Sequence, residues 1–348
     1  MRRVKLGFVG CGTMGQMAHL PNFSGMPEKC ELVALADRRQ ELASRVAERY
    51  GIPRVYPSHK EVAKDREVEA VVSITGDAVN PAVSMDLLRA GKHVLIEKPM
   101  AAAAADAENM ALASEANGKW LMVAFMKRFD PGVELAKRRI DDYIASGKLG
   151  RITYARACCF GGDWWCGLDN PLRSQESAPQ IQSDYPEWLP ADSRTEYSIF
   201  NNLYSHNLNL LRFLLGDLRV ESAKVGAPTR VAVMDGGGFP VTLEGGQLSA
   251  NHWHEQTVVY FQHGRIEINT PSPMLRNVPA QVEIYEAGKY QTVQHPQAEW
   301  DWSFRREDEH FLDCVLENRE PLTSARDSKR DVELMEEIFR KGIGSSRA

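Results

Sequence analysis

The feature that most constrains this chain is its first fifteen residues. A short apolar run, Val4 to Val9, leads directly into Gly10-Cys11-Gly12-Thr13-Met14-Gly15. A strand that turns through G-x-G-x-x-G into a helix builds a dinucleotide pyrophosphate site. The first glycine permits the tight turn, the second lets a phosphate approach the backbone, and the third lets helix and strand pack closely. The helix then points its N–H groups and positive dipole end at the phosphates. Glycine-rich turns are common, so the pattern gains its weight from the strand downstream of it. Glu31 to Ala36 reads as that second strand, ending at Asp37, 22 residues beyond Gly15. That is the spacing of the acidic residue that hydrogen-bonds a ribose 2′-hydroxyl. Gly10, Gly12, Thr13, Met14, Gly15 and Asp37 are therefore expected to bind a cofactor.

Length and charge narrow the remaining possibilities. A chain of 348 residues suits two domains. Hydrophobic residues at 43% and charged residues at 26% are ordinary soluble values, and the net charge of −5 argues against a nucleic-acid surface. No apolar run approaches the ~18 residues of a membrane span. Arg2-Arg3 imitates a secretory leader, but the apolar stretch behind it is short and runs into the glycine turn. The cysteines Cys11, Cys30, Cys158, Cys159, Cys166 and Cys314 form no C-x-x-C pair. Reduced thiols in a cytoplasmic protein are expected, and no metal site.

Strands and helices alternate through the first third. Helices are predicted over 40–50, 79–90 and 106–117, with strands over 69–74, 93–96 and 120–125. Continuous apolar strands separated by helices imply a parallel, doubly wound sheet. A helix is predicted over 129–146, and then the rhythm changes. β-branched and aromatic runs at 151–160, 219–225, 246–252, 257–262, 264–268 and 281–285 read as an antiparallel sheet, interrupted by a helix over 198–215. Helices over 305–317 and 328–341 close the chain. The expectation is an α/β Rossmann domain, residues 1–125, plus an α+β domain, residues 126–348, with an open-faced, mostly antiparallel sheet. The stretch 161–195 reads as a long loop rich in Trp, Tyr, Asp and Pro, and such loops tend to be functional.

A second motif stands at Ala90-Gly91-Lys92-His93-Val94-Leu95-Ile96-Glu97-Lys98-Pro99. An acidic–basic pair followed by proline, at the end of a parallel strand, lies where ligands bind in open α/β sheets. Lys98 there can point an ammonium at a substrate oxygen. With Gly10-x-Gly12-x-x-Gly15, Asp37-Arg38, and Phe125-Met126-Lys127-Arg128-Phe129-Asp130-Pro131, this string resembles the Gfo/Idh/MocA oxidoreductases. The resemblance implies a nicotinamide cofactor, with Thr75, Glu97 and Lys98 beside it. It also implies a helix motif Asp-x-x-x-His, matched here by Asn202 and His206. Residues i and i+4 share a helix face, so both can reach one substrate. Three departures stand out. Asn202 replaces an aspartate, Asn209 stands where a second is common, and the family's Thr-Pro-Asn-x-x-His loop reads Thr75-Gly76-Asp77-Ala78-Val79-Asn80.

Asp37 favours NAD, whereas Arg38 either meets the 2′-phosphate of NADP or stacks on the adenine. Asp163, Trp164, Trp165, Asp169, Asp184, Tyr185 and Trp188 suit a polyol or sugar, with flat faces for C–H edges and carboxylates for hydroxyls. The expected activity is dehydrogenation of a secondary alcohol of a small carbohydrate or polyol. His206 would be the base, Lys98 would bind the reacting oxygen, and Arg128, Trp164 and Asn202 would sit with the substrate. Two other readings stay open: an NAD-retaining glycoside-cleaving enzyme, and a non-catalytic NAD(P)-binding sensor. A homo-oligomer, dimer or tetramer, is expected through the open sheet face.

Overall fold

The computed structural model describes residues 2–168, 171–177, 184–226, 228–246 and 252–345. They divide into two compact units: Met1–Phe125 with Asp169–Trp188 and Phe304–Glu333, and Met126–Leu168 with Leu189–Ser303 and Leu334–Ala348.

The first unit is built on six parallel strands in the order β3-β2-β1-β4-β5-β6. These are β1 (Val4–Val9), β2 (Cys30–Ala36), β3 (Arg54–Tyr56), β4 (Ala70–Ser73), β5 (His93–Glu97) and β6 (Leu121–Ala124). Helices α1 (Leu20–Ser24), α2 (Gln40–Tyr50), α3 (His59–Lys64), α4 (Asn80–Arg89) and α5 (Ala104–Asn117) connect them. Val71, Val72, Val94, Leu95, Ile96 and Val123 are fully buried, as parallel strands covered on both faces require. The strand order reverses beside β1, so its C-terminal end is the topological switch point where ligands bind.

The second unit carries α6 (Pro131–Ser146), α7 (Arg194–Leu215) and an eight-stranded sheet. Its strands are β7 (Ile152–Gly161), β8 (Arg219–Lys224), β9 (Arg230–Asp235), β10 (Pro240–Gly245), β11 (His254–Phe261), β12 (Gly264–Asn269), β13 (Gln281–Glu286) and β14 (Thr292–Gln294). All pairings are antiparallel except β7 with β10. Alternation separates the faces. Ala155, Ala157, Val259, Ile266 and Ile284 are buried, whereas Tyr154–Thr242, Arg156–Glu244 and Arg265–Glu283 form polar cross-strand pairs. The strand expected at 246–252 lies largely outside the described residues, and so does Asp169. The last helices are α8 (Ser303–Glu317) and α9 (Ala325–Ser345). Almost all of α8 counts with the first unit, to which the chain returns late. No described helix is long and apolar enough to cross a membrane.

Candidate dinucleotide and active site

The glycine loop is built from three different demands. Gly10 sits at φ +89°, and a Cβ there would lie 2.3 Å from the carbonyl oxygen of Ile74. A Cβ on Gly15 would approach the Gly10 carbonyl oxygen to 2.7 Å and the Phe8 ring to 3.1 Å. Gly12 differs: its Cβ would meet only an Arg39 terminal nitrogen, at an ordinary 3.6 Å. The fold itself requires glycine at 10 and 15, but at 12 it leaves the backbone uncovered. Thr13 is exposed and Met14 half-buried at the same turn. The helix after the loop departs from expectation. Gly15–His19 is a π-helical turn, succeeded by the short α1 with Pro21 in its first turn. Pro21 lacks the N–H that would continue an α-helical ladder, and His19 is fully buried.

Asp37 closes β2 and is densely bonded. Its carboxylate accepts from the Cys11 amide at 2.9 Å, the Arg39 amide at 2.9 Å, and the Arg39 guanidinium at 3.0 and 2.9 Å. Burial opposes its charge, but Arg39 outweighs burial and holds the carboxyl below its usual range. Burial and then Asp37 push the neighbouring Cys11 thiol far up, so it stays protonated. The guanidinium beside the carboxylate belongs to Arg39, whereas Arg38 is exposed. The signal for Arg39 was local: an Asp two residues before an amide folds back on it.

The Glu97-Lys98-Pro99 turn, with a cis bond before Pro99, ends β5. Asn80 occupies the position of the family's loop histidine and clamps this turn. Its Nδ2 donates to the carbonyls of Glu97 at 3.0 Å and Pro99 at 3.2 Å, and its Oδ1 accepts from Thr75 Oγ1 at 3.0 Å. The Lys98 amide donates to Glu97 Oε2 at 3.0 Å. Burial raises the Asp77 carboxyl, while the Ala78 amide and the nearby Lys98 charge oppose that rise. Not every residue of the long string faces a ligand. Lys92 donates to the carbonyls of Asp65 and Val68, and His93 Nδ1 accepts from the Trp120 amide at 3.1 Å.

In the second unit, Arg128 is buried, donating to Asn209 Oδ1 at 2.7 Å and lying 5.4 Å from the Phe213 ring centre. It braces α7 from within. On α7, His206 is half-buried and Asn202 exposed. The next residue, Asn207, is fully buried and donates to Glu255 Oε1 at 2.7 Å. Glu255 also accepts from Lys127 and from Trp253 Nε1. Lys127, Asn207 and Glu255 thus form a buried polar centre that residue patterns alone did not single out. Trp164 is 42% exposed and packs edge-on to Trp165. Trp164 and Asp163 count with this unit, whereas Asp184, Tyr185 and Trp188 count with the first.

A second buried centre lies in the first unit. His19 Nδ1 bonds Asp308 Oδ1 at 2.8 Å, and His19 Nε2 bonds Glu97 Oε1 at 3.1 Å. Asn22 donates to Asp308 Oδ2 at 2.9 Å. His19, Glu307 and Asp308 bring potential metal-ligating atoms within 4.8 Å of one another. Both ring nitrogens already face carboxylates, however, which is the arrangement of an ion-paired imidazolium. A sequence signal existed: Asp308 falls four residues after Phe304 and three before Phe311, on the core face of α8.

Residues 4–125 match the family model described as an oxidoreductase family with an NAD-binding Rossmann fold, Gfo/Idh/MocA. Over 127 residues the chain is 37% identical to trans-1,2-dihydrobenzene-1,2-diol dehydrogenase of Macaca fuscata fuscata, covering 36% of this chain and 37% of that one. Over 150 residues it is 31% identical to inositol 2-dehydrogenase of Salmonella typhimurium, covering 42% and 43%. The chain therefore spans less than half the length of these curated relatives. A levoglucosan dehydrogenase, solved with NADH and levoglucosan, superposes with a TM-score of 0.79 at 18% identity, covering 99% of this chain and 98% of that one. At that identity the likeness is one of fold.

Proposed function

We propose that the chain, whose residues 4–125 match the Gfo/Idh/MocA oxidoreductase family model, is an NAD-dependent dehydrogenase of a secondary alcohol on a sugar, polyol or related small carbohydrate. The observation that carries this reading is the bare Gly12 between two sterically closed glycines, with the Asp37 carboxylate anchored beside the loop. Gly10, Gly12, Thr13, Met14 and Gly15 would receive the pyrophosphate, Asp37 with Arg38 or Arg39 the adenosine ribose, and Thr75, Glu97 and Lys98 the nicotinamide end. When bound, the nicotinamide supplies the hydride acceptor. Lys98 donates a hydrogen bond to the carbinol oxygen and stabilises the negative charge that develops there. His206 takes the hydroxyl proton. Asn202 and Trp164 orient substrate, while Arg128 supports α7.

The first unit would hold nucleotide, and the second would hold substrate and carry the contacts of a homo-oligomer on its polar, aromatic sheet face. All six cysteines are free thiols, five of them buried, which fits a reducing, cytoplasmic compartment. The test is a panel of polyols, sugars and sugar acids followed by NADH absorbance. Lys98→Met should keep its thermal midpoint and NADH affinity while turnover collapses. His206→Ala should lose ~10²–10⁴-fold in rate. Near-normal turnover from either variant would remove these roles.

A further inference from the structure

Behind the Glu97-Lys98-Pro99 turn lies the buried centre on His19, and the reaction as proposed gives no role to His19 or Asp308. His19 and Asp308 are fully buried and Glu97 nearly so. The imidazole bridges two carboxylates, Asp308 from α8 and Glu97 from the end of β5, at 2.8 and 3.1 Å. The Phe304 ring meets the imidazole edge-on, 5.8 Å away, and covers one side of it with apolar surface. Glu97 is thereby gripped at both oxygens: His19 holds Oε1, and the Lys98 amide donates to Oε2.

We propose that His19 is a positioning residue for Lys98. Anchored by Asp308, it holds the Glu97 carboxylate so that the carboxylate, in turn, holds the Lys98 backbone. This rests on the role given to Lys98 in the proposed reaction. Burial alone would strip the imidazole of its proton, but Asp308 and Glu97 outweigh burial and keep it charged well above the ordinary histidine value. Glu307 also faces the centre, fully buried, and neither of its carboxyl oxygens has a partner among the described residues. Burial raises its carboxyl well above the usual range; burial also raises Asp308, where His19 and Asn22 oppose the rise, so the ring is held by the two carboxyls that bond its nitrogens. A fixed charge that donates from two opposed ring nitrogens defines direction as well as distance, which a neutral carboxamide, with both N–H groups on one nitrogen, cannot do.

The test reads the Lys98 amide directly and needs no substrate. The full chain is labelled with ¹⁵N-lysine, the Lys98 peak is assigned by its loss in Lys98→Arg, and amide exchange is followed in wild type, His19→Gln and Asp308→Asn. In His19→Gln the Lys98 amide should exchange at least ~10-fold faster, while the β1 and β4 amides, read in uniformly ¹⁵N-labelled protein, keep their protection. Asp308→Asn keeps an acceptor for Nδ1 and should show a smaller change in the same direction. With an active substrate, His19→Gln should lower kcat and leave KM and NADH affinity nearly unchanged. If wild type turns over nothing in the panel, the dehydrogenase reading fails, but the exchange data still decide the His19–Glu97–Lys98 linkage. Lys98 exchange unchanged in His19→Gln, or loosened only in step with β1 and β4, would overturn the proposal. So would a stoichiometric divalent metal that Glu307→Gln releases, because the imidazole would then be a ligand rather than a bridge.

Discussion

At the scale of single residues, the three loop glycines separate architecture from ligand approach. A Cβ on Gly10 or Gly15 collides with backbone, so alanine at either position should lower stability by about 1–3 kcal/mol through overpacking. A Cβ on Gly12 meets no such obstacle. Gly12→Val should therefore melt close to wild type yet lose NADH binding, as read by fluorescence titration. Equal affinity in the two proteins would show that no phosphate passes over Gly12. Asp37 makes the complementary case. Its carboxylate repels a 2′-phosphate and at the same time occupies the Arg39 guanidinium. Asp37→Ser removes the repulsion and releases the guanidinium together, so the NADP-to-NAD affinity ratio should rise at least ~10-fold. An unchanged ratio would count against any ribose role for Asp37.

Among elements, legibility followed periodicity. The apolar strands 69–74, 93–96 and 120–125 correspond to β4, β5 and β6 because parallel strands buried on both faces announce themselves as apolar runs. β9 and β10, joined through Gly236-Gly237-Gly238, escaped notice; β10 turns Thr242 and Glu244 to its outer face and so lacks a continuous apolar run. The π turn at Gly15–His19 left no periodic trace, since it adds one residue to a single turn. The partnership of His19 with Asp308 spans 289 residues and could not be read from local pattern at all. The helix α7 bears the clearest departure from the family, Asn202, one turn before His206. A carboxylate there would favour the protonated imidazole. Asn202→Asp should therefore move the acidic limb of the pH–rate profile upward, and a limb that stays in place would show the two positions to be electrostatically independent.

At the scale of the whole molecule, the Rossmann unit with its late helix α8 carries histidines whose linkage to pH has opposite sign. His93 and His310 must be neutral to accept the amides of Trp120 and Leu322 at Nδ1 and Nε2. Burial, reinforced by Lys119 and by Arg319, pushes each down to about 4. Unfolding lets them bind protons near 6.5, so their contribution is complete above that pH and drains away between about 6.5 and 4. The loss is of order 1–3 kcal/mol per histidine, at the lower end for half-buried His310, which water screens. His19 acts in reverse. Its raised folded value means that its contribution is complete below about 6.5 and is lost as pH climbs through that folded value. The thermal midpoint should therefore climb from pH 4 to 6.5 and decline again under alkaline conditions. Glutamine at both 93 and 310 keeps an acceptor that does not titrate, so the double variant should flatten the acid limb and leave the alkaline one intact. His19→Gln should lessen the alkaline decline, to which the raised carboxyl of buried Glu307 adds in the same direction, and leave the acid limb intact. An acid limb as steep in the double variant as in wild type would place the acid-sensitive protons elsewhere in the molecule.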